Sequence, residues 1–364
     1  MRRTLLLTHE YYPFAGGIAN YCYQLFKNFE PADYLIVTDQ KEVSQLPNLL
    51  QTRLIGKFFR PRWLTGLFKL KRIIKEHDIK VIFTPHIFPL GQVANRLKQQ
   101  LGTPYIISLH GLDINLALKK DRRQALRILE MAEHIIVNSQ AVKRIIEPFN
   151  LKTPVTVLTP AFEPAKEFNR DQALIDRLQS QPTVITVGRL VRRKNHQAIL
   201  TALAELPELN YQYLIIGQGP ERTNLEKQIN DLGISQKVRI LANVSHKELP
   251  NYYLGAKLFV MPVQNQGSDI EGFGIVYLEA GYYGLPVIAS RGTSAGEIIT
   301  DGLNGLLIDP NQKGELAAAI KQVLTDQEPA AQLGQAAKKR IADFPSTAQQ
   351  SEKLKQILSG PSNN

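Results

Sequence analysis

This chain lacks the residues that several common functions need. It has one cysteine, Cys22, in 364 residues, so neither an internal disulfide nor a cysteine-built metal site can form. No run of about 18 uncharged apolar residues occurs, and no membrane-spanning helix is expected. The opening MRRTLLLTHEYYP has only three leucines as an apolar core and no small-residue cleavage site, so it reads as a first strand, not a secretory signal. These features suit the cytoplasm. No Asp-x-Asp occurs anywhere, which fits a reaction served by cations and helix ends without a bound divalent ion. Acid is missing from one half: residues 1–160 hold 23 basic and 12 acidic side chains, the whole net +11, whereas residues 161–364 hold 21 of each. A basic half beside a neutral one implies a surface that meets something anionic.

What is present is an alternation of apolar strands and amphipathic helices long enough for two domains. Strand candidates in the first half are RTLLLTH, DYLIVTD, KVIFTP, PYIISLH, HIIVNS and VTVLTP, with no Asn-Gly hairpin signal between them. That pattern predicts a doubly wound parallel sheet. The second half repeats it through PTVITVG, YQYLIIG, KVRIL, AKLFVMP and LPVIAS. The fold class is therefore α/β with two Rossmann-like domains, one over residues 1–162 and one over 163–345. A final helix at 346–360 returns to the first.

Candidate site residues lie at strand ends and helix starts. Gly16 and Gly17 precede a helix whose core face is Ile18, Tyr21, Cys22 and Leu25; they either let backbone approach a ligand or merely turn the chain. His110 follows the fourth strand of the first half, where open α/β sheets hold ligands, with Asp113 three residues on. Its imidazole either bonds a ligand hydroxyl or is structural. Arg189 and Lys194 flank a glycine turn and could neutralise a diphosphate, while Arg192 and Arg193 between them are expected at the surface. Gly217-Gln218-Gly219-Pro220 is a weak dinucleotide fingerprint because Arg222 replaces its third glycine. Residues 57–75, KFFRPRWLTGLFKLKRIIK, carry seven basic residues and no acid, interleaved with Phe58, Phe59, Trp63, Leu64, Leu67 and Phe68. This is either an interfacial helix for an anionic membrane or an ordinary helix with solvated lysines.

Residues 268–284, SDIEGFGIVYLEAGYYG, are the most informative stretch. Glu271 and Glu279 lie eight positions apart around a GFG turn, and a helix starting near Gly274 leaves the N–H groups of Phe273, Gly274 and Ile275 free for an anion. With GGIA near the start, HGLD midway, GRL followed by KN, and DGLNGLL near the end, this stretch resembles the retaining nucleotide-sugar glycosyltransferases of family 4. The resemblance spans most of the chain and implies two Rossmann-like domains facing a cleft (GT-B type), without a cofactor or metal. It implies a nucleotide-sugar donor, UDP first, and a saccharide or lipid-linked acceptor.

By position, the resemblance puts Arg189 and Lys194 on the donor phosphates, Glu271 on the sugar, Glu279 on the ribose and Asn243 and Val244 near the base. His110 would act in catalysis and Asp113 on the acceptor side. The family's Gly-Gly before a glutamate is here Ala295-Gly296, which puts a role for Glu297 in question. Two other readings compete: a nucleotide-sugar epimerase of the same fold, and a nucleic-acid-binding protein, disfavoured because no winged helix, finger or aromatic RNA platform is present.

Overall fold

Every residue of β1 (Thr4–Thr8) is buried, which is how a strand covered by helices on both faces must read. In the computed structural model, which describes residues 1–14, 16–43, 46–56, 63–164 and 167–360, this holds for most of the apolar runs. β1 pairs with β2 (Tyr34–Thr38) and β4 (Val81–Thr84). β3 (Leu49–Gln51), β5 (Tyr105–Leu109), β6 (His134–Val137) and β7 (Val155–Val157) complete a parallel sheet in the order β3-β2-β1-β4-β5-β6-β7. β3 is a short edge strand, exposed or half-buried throughout, which is why it reads as polar loop in the sequence.

The second sheet comprises β8 (Thr183–Val187), β9 (Gln212–Ile216), β10 (Val238–Leu241), β11 (Leu258–Met261), β12 (Val287–Ser290) and β13 (Leu306–Ile308), in the order β10-β9-β8-β11-β12-β13. All its pairs are parallel. The winding reverses between β1 and β4 in the first sheet and between β8 and β11 in the second. At such a reversal, neighbouring loops diverge beyond the strands' carboxyl ends and leave a crevice.

Two compact units result, one of Met1–Ala161 with the C-terminal segment from Pro345, the other of Phe162–Phe344. Helix Thr347–Ser359 opens on a capping box of Ser346 and Gln349. Hydrogen bonds fix it to the first unit. Ser351 Oγ donates to the Leu25 carbonyl at 2.8 Å, Gln350 Nε2 to that of Thr159 at 2.7 Å, and Arg2 Nε to that of Leu358 at 2.6 Å. Leu354 and Leu358 are fully buried in the same cluster as Leu6 and Phe26. Helix Gly17–Phe26 buries Ala19, Tyr21, Cys22, Leu25 and Phe26 and leaves Ile18 half-buried, so its core face is rotated slightly from the sequence expectation. No helix among the described residues is long and apolar enough to cross a membrane.

Candidate functional site

In the second unit the loops after β8 and β11 meet at the reversal point. After β8 the chain turns through Gly188 and Arg189 into a 3-10 turn at Arg192–Lys194 and then helix His196–Ala204. After β11 it runs through Asp269 and Glu271 to helix Ile275–Tyr282. Lys194 Nζ donates to Glu271 Oε2 at 2.7 Å and approaches Met261 Sδ at 3.3 Å, and the residue is only 8% exposed. Arg193 was expected at the surface, yet its side chain is largely buried: Nε donates to Asp269 Oδ1 at 2.9 Å and Nη1 to Glu271 Oε2. The planar fork explains this, because Asp269 and Glu271 alternate along an extended loop and one guanidinium spans both. Arg192, by contrast, is exposed.

Charge balance sets the protonation states. Burial alone would raise the Glu271 carboxyl, but Lys194 and Arg193 outweigh it and hold its pKa below the ordinary value. Burial likewise opposes the charge on Arg193, and Glu271 and Asp269 overcome it, so its pKa is raised. Glu271 and Arg193 thus hold each other ionised.

The GFG turn supplies the second element. Gly274 has φ 87°, a left-handed conformation, and a Cβ there would lie 2.6 Å from the Tyr277 ring, so only glycine fits. Ser294 Oγ donates to the Phe273 carbonyl at 3.1 Å and pins the buried turn. Among the described residues no acceptor takes the amide hydrogens of Phe273, Gly274 or Ile275. These amides open helix Ile275–Tyr282, two to four residues beyond the Lys194-bound Glu271. Glu279 lies in the next turn, where its Oε2 accepts from the buried Tyr253 hydroxyl at 2.7 Å. Burial pushes the Glu279 carboxyl above its ordinary value, against the Tyr253 hydrogen bond and the charges of His246 and Lys194.

Other expected residues are placed less tightly. Arg189 is exposed, and no carboxylate pairs with it among the described residues. Asn243 is exposed and accepts from Gln218 Nε2 at 2.8 Å, whereas Val244 is half-buried against the core. Gly217 and Gly219 serve packing: a Cβ would come within 1.9 Å of the Gly188 carbonyl oxygen at the first and 2.3 Å of that of Leu190 at the second. The Gly-x-Gly pair therefore brings the β8 and β9 loops together. Sequence reasoning missed Arg193, Asp269 and Tyr253; the Asp-Ile-Glu alternation was the available signal for the first two.

In the first unit His110 follows β5 and is held by neutral contacts. Its Nε2 lies 3.3 Å from Ser108 Oγ, and the Tyr21 ring meets it edge-on at 5.0 Å. Burial pulls its pKa down to about 3, so it is neutral. Asp113 turns back to accept from the His110 backbone N–H at 2.8 Å, and burial raises its carboxyl to about 6. At Gly16 a Cβ would lie 2.6 Å from Glu10 Oε2 and 2.7 Å from the Phe14 ring, side chains that would have to shift, whereas nothing stands within 4 Å of one at Gly17. Near this strand end His9 Nδ1 and Asp39 Oδ1 are 2.8 Å apart, and the His9 backbone N–H donates to His86 Nε2 at 3.3 Å. Of stretch 57–75, residues 57–62, with Phe58 and Phe59, lie outside the described residues. The remainder forms most of helix Leu64–Glu76, whose Leu67, Leu70 and Ile74 are buried, with Trp63 and Leu64 packed against the core. Phe68 is exposed, at 65%.

Two family models cover nearly the whole chain: that for Glycosyltransferase Family 4 matches residues 15–166, and that for Glycosyl transferases group 1 matches 167–340. The GDP-mannose-dependent alpha-(1-6)-phosphatidylinositol monomannoside mannosyltransferase of Mycobacterium tuberculosis is 29% identical over 284 residues, 75% of this chain and 74% of that protein. The corresponding monoacylated-acceptor enzyme of Corynebacterium glutamicum is 26% identical over 98% of both chains. Among solved structures, HepE of Anabaena with UDP and glucose superposes with a TM-score of 0.83 over 99% of this chain and 100% of that one, at 20% identity, a likeness of fold. The chain belongs to the glycosyltransferases of family 4, with the two Rossmann-like domains of the GT-B fold, and is a glycosyltransferase.

Proposed function

We propose that this chain transfers a sugar from a nucleoside diphosphate sugar, with retention at the anomeric carbon and without a metal ion, to a saccharide or lipid-linked acceptor in glycolipid or polysaccharide synthesis. The observation that carries this is the Lys194–Glu271 pair at the β8–β11 reversal, two residues before a turn whose Phe273, Gly274 and Ile275 amides take no acceptor among the described residues. A departing diphosphate needs its negative charge stabilised as the sugar becomes oxocarbenium-like, and preorganised cations and amides do this without reorganising. Lys194 has three N–H donors, so it can hold Glu271 and a phosphate oxygen together. Arg189, exposed on the same loop, supplies a fork for the second phosphate. Glu271, fixed by Lys194 and Arg193, holds the donor sugar's hydroxyls, and Glu279 holds the ribose. The leaving phosphate oxygen takes the acceptor's proton.

On the first unit, the neutral His110 bonds a sugar hydroxyl, with Asp113 holding its loop and Gly17 leaving room for the donor. UDP is the donor base expected from the family at large, whereas the mycobacterial and corynebacterial relatives are named for GDP-mannose, so GDP-mannose is the first donor to test. The same relatives are named for phosphatidylinositol mannoside acceptors, which favours a lipid-linked acceptor met at the cytoplasmic membrane face, with residues 57–75 among the contacts. Thermal shift against UDP, GDP, ADP and their sugars tests the donor. NMR of the product's anomeric coupling then tests retention. A chain that no nucleotide stabilises, or a product of inverted configuration, would refute the reading.

A further inference from the structure

The loop from β8 to helix His196–Ala204 carries both Arg189 and Lys194, and its backbone is tied down on either side of Arg189. Gly188 N–H donates to the Ile216 carbonyl at 2.9 Å and Leu190 N–H to that of Gln218 at 2.8 Å, while the Leu190 carbonyl accepts from Glu221 N–H at 3.0 Å. Arg189 itself is held more loosely. Among the described residues its N–H has no acceptor, and its carbonyl takes the Val191 N–H two residues on, at 2.9 Å, in a γ-turn.

The helix that follows opens with His196, only 2% exposed among core neighbours such as Ile199 and Leu200. Neither of its ring nitrogens makes a hydrogen bond of ordinary geometry among the described residues. Two orphaned nitrogens in one buried ring call for an explanation, because each has given up water without gaining a full partner. A leucine would fill the same space without that penalty. Burial and the Lys194 charge pull the imidazole down to about 4, so the ring is neutral and has one N–H to donate. Against them, the Arg189 backbone favours the protonated ring, as a carbonyl oxygen beside a ring nitrogen does.

We propose that His196 is a positioning residue for the donor diphosphate: its ring N–H closes on the Arg189 carbonyl and fixes the peptide from which the Arg189 guanidinium reaches a phosphate. This rests on the reading of Arg189 as a phosphate fork and adds how the chain aims it. The ring is too deeply buried to touch a diphosphate, so it acts through Arg189. Such bonds are commonly long in the free protein and tighten when the ligand is engaged. An exposed arginine otherwise loses much side-chain freedom on binding, and a fixed peptide lowers that loss. Packing alone would not account for a polar ring at this place.

The test is calorimetric titration of the full chain with inorganic pyrophosphate, UDP and GDP. His196→Leu should bind pyrophosphate, and whichever diphosphate the wild type binds, about fivefold more weakly, the worth of one hydrogen bond. Its thermal midpoint should hold or rise, because no fully formed bond is lost. His196→Asn and His196→Gln carry an amide N–H near the places of Nδ1 and Nε2, and one of the two should recover most of the affinity. In an Arg189→Ala chain the His196→Leu loss should shrink below about twofold, since the fork that the ring aims is gone; a ring that only packs would show the same loss in both backgrounds. Undiminished binding by folded His196→Leu, recovery by neither amide, or equal losses with and without Arg189 overturns the inference and leaves the donor reading standing. Should His196→Leu fail to fold, the two amide variants decide: one near the wild type and the other about fivefold weaker supports the inference, and two alike overturn it. A wild type that binds neither pyrophosphate nor either nucleotide defeats the donor reading together with this one.

Discussion

The two units carry charge in opposite ways. Residues 1–160 hold the entire net +11, yet the groups gathered at the strand ends of the first unit include His86 and His110, which burial keeps neutral with pKa values near 3, and Asp113, raised to about 6. Residues 161–364 are neutral in sum, yet their reversal point concentrates Arg193 and Lys194 against Asp269 and Glu271. Net charge reports what the surface meets; it says little about the site. A diphosphate needs fixed local cations in low dielectric, and those require carboxylates nearby to make their burial tolerable. A sugar hydroxyl needs neutral donors and acceptors, which burial of histidine provides.

The contrast breaks most sharply at Lys194. Lys194→Ala removes a cation from the proposed phosphate site while Arg193 remains on Glu271, so no carboxylate is left unpaired. We expect kcat to fall by about 10²- to 10³-fold, the cost of one lost donor to a developing anion. The thermal midpoint should drop by no more than about 4 °C. Steady-state kinetics and a melting curve check both; a folded variant with wild-type turnover would take Lys194 out of the mechanism. In the first unit no single cation removal should have a comparable effect.

Much of this frame is legible in the residues. The buried runs TLLLT and VIFT leave little doubt about parallel strands, because period-2 alternation is absent. Glu271, Lys194 and Gly274 could be picked out because their chemistry is unusual beside a glycine turn. Arg193 could not, since a basic triplet looks like solvated surface until its partners are known to sit 76 and 78 residues away. Tyr253 was hidden similarly: a tyrosine in an apolar helix reads as core, and it is core, with its one polar atom turned to Glu279. β3 and the buried ring of His196 are tertiary facts, decided by what happens to cover them.

A smaller effect sharpens the comparison from the first unit. His110 is protonated in the unfolded chain below about pH 6.5 but in the fold only near 3. Unfolding therefore takes up a proton, and the fold loses stability as pH falls through that window. Asp113 works in the opposite direction: its raised value of about 6 adds stability that is complete below its ordinary value of 3.8 and is lost as pH rises through 6. His110→Gln removes the first contribution and keeps the second. Between pH 6 and 4 the stability of the variant should fall less steeply than the wild type's, by about 1.4 kcal/mol per pH unit. Denaturant titrations of both proteins across that range check it, and parallel slopes would mean that His110 is not held neutral.

The smallest expected effect lies in the second unit, at a residue that bears no charge at all. Tyr253 is fully buried, its ring stacked on that of Tyr283 at 5.4 Å with a 7° interplanar angle, and its hydroxyl is fixed on Glu279. Burial already raises the Glu279 carboxyl, and this hydrogen bond is the first of the interactions that bring it down. Tyr253→Phe keeps the stacking and deletes only the donor, so folding should be nearly unaffected. The carboxylate loses one orienting bond, worth about 1 kcal/mol, so the donor KM should rise about fivefold with kcat little changed. Because Glu279 then protonates more readily, the acid limb of kcat/KM should move to higher pH. A core residue without influence on the site would leave that limb in place, and an unmoved limb would reduce Tyr253 to packing.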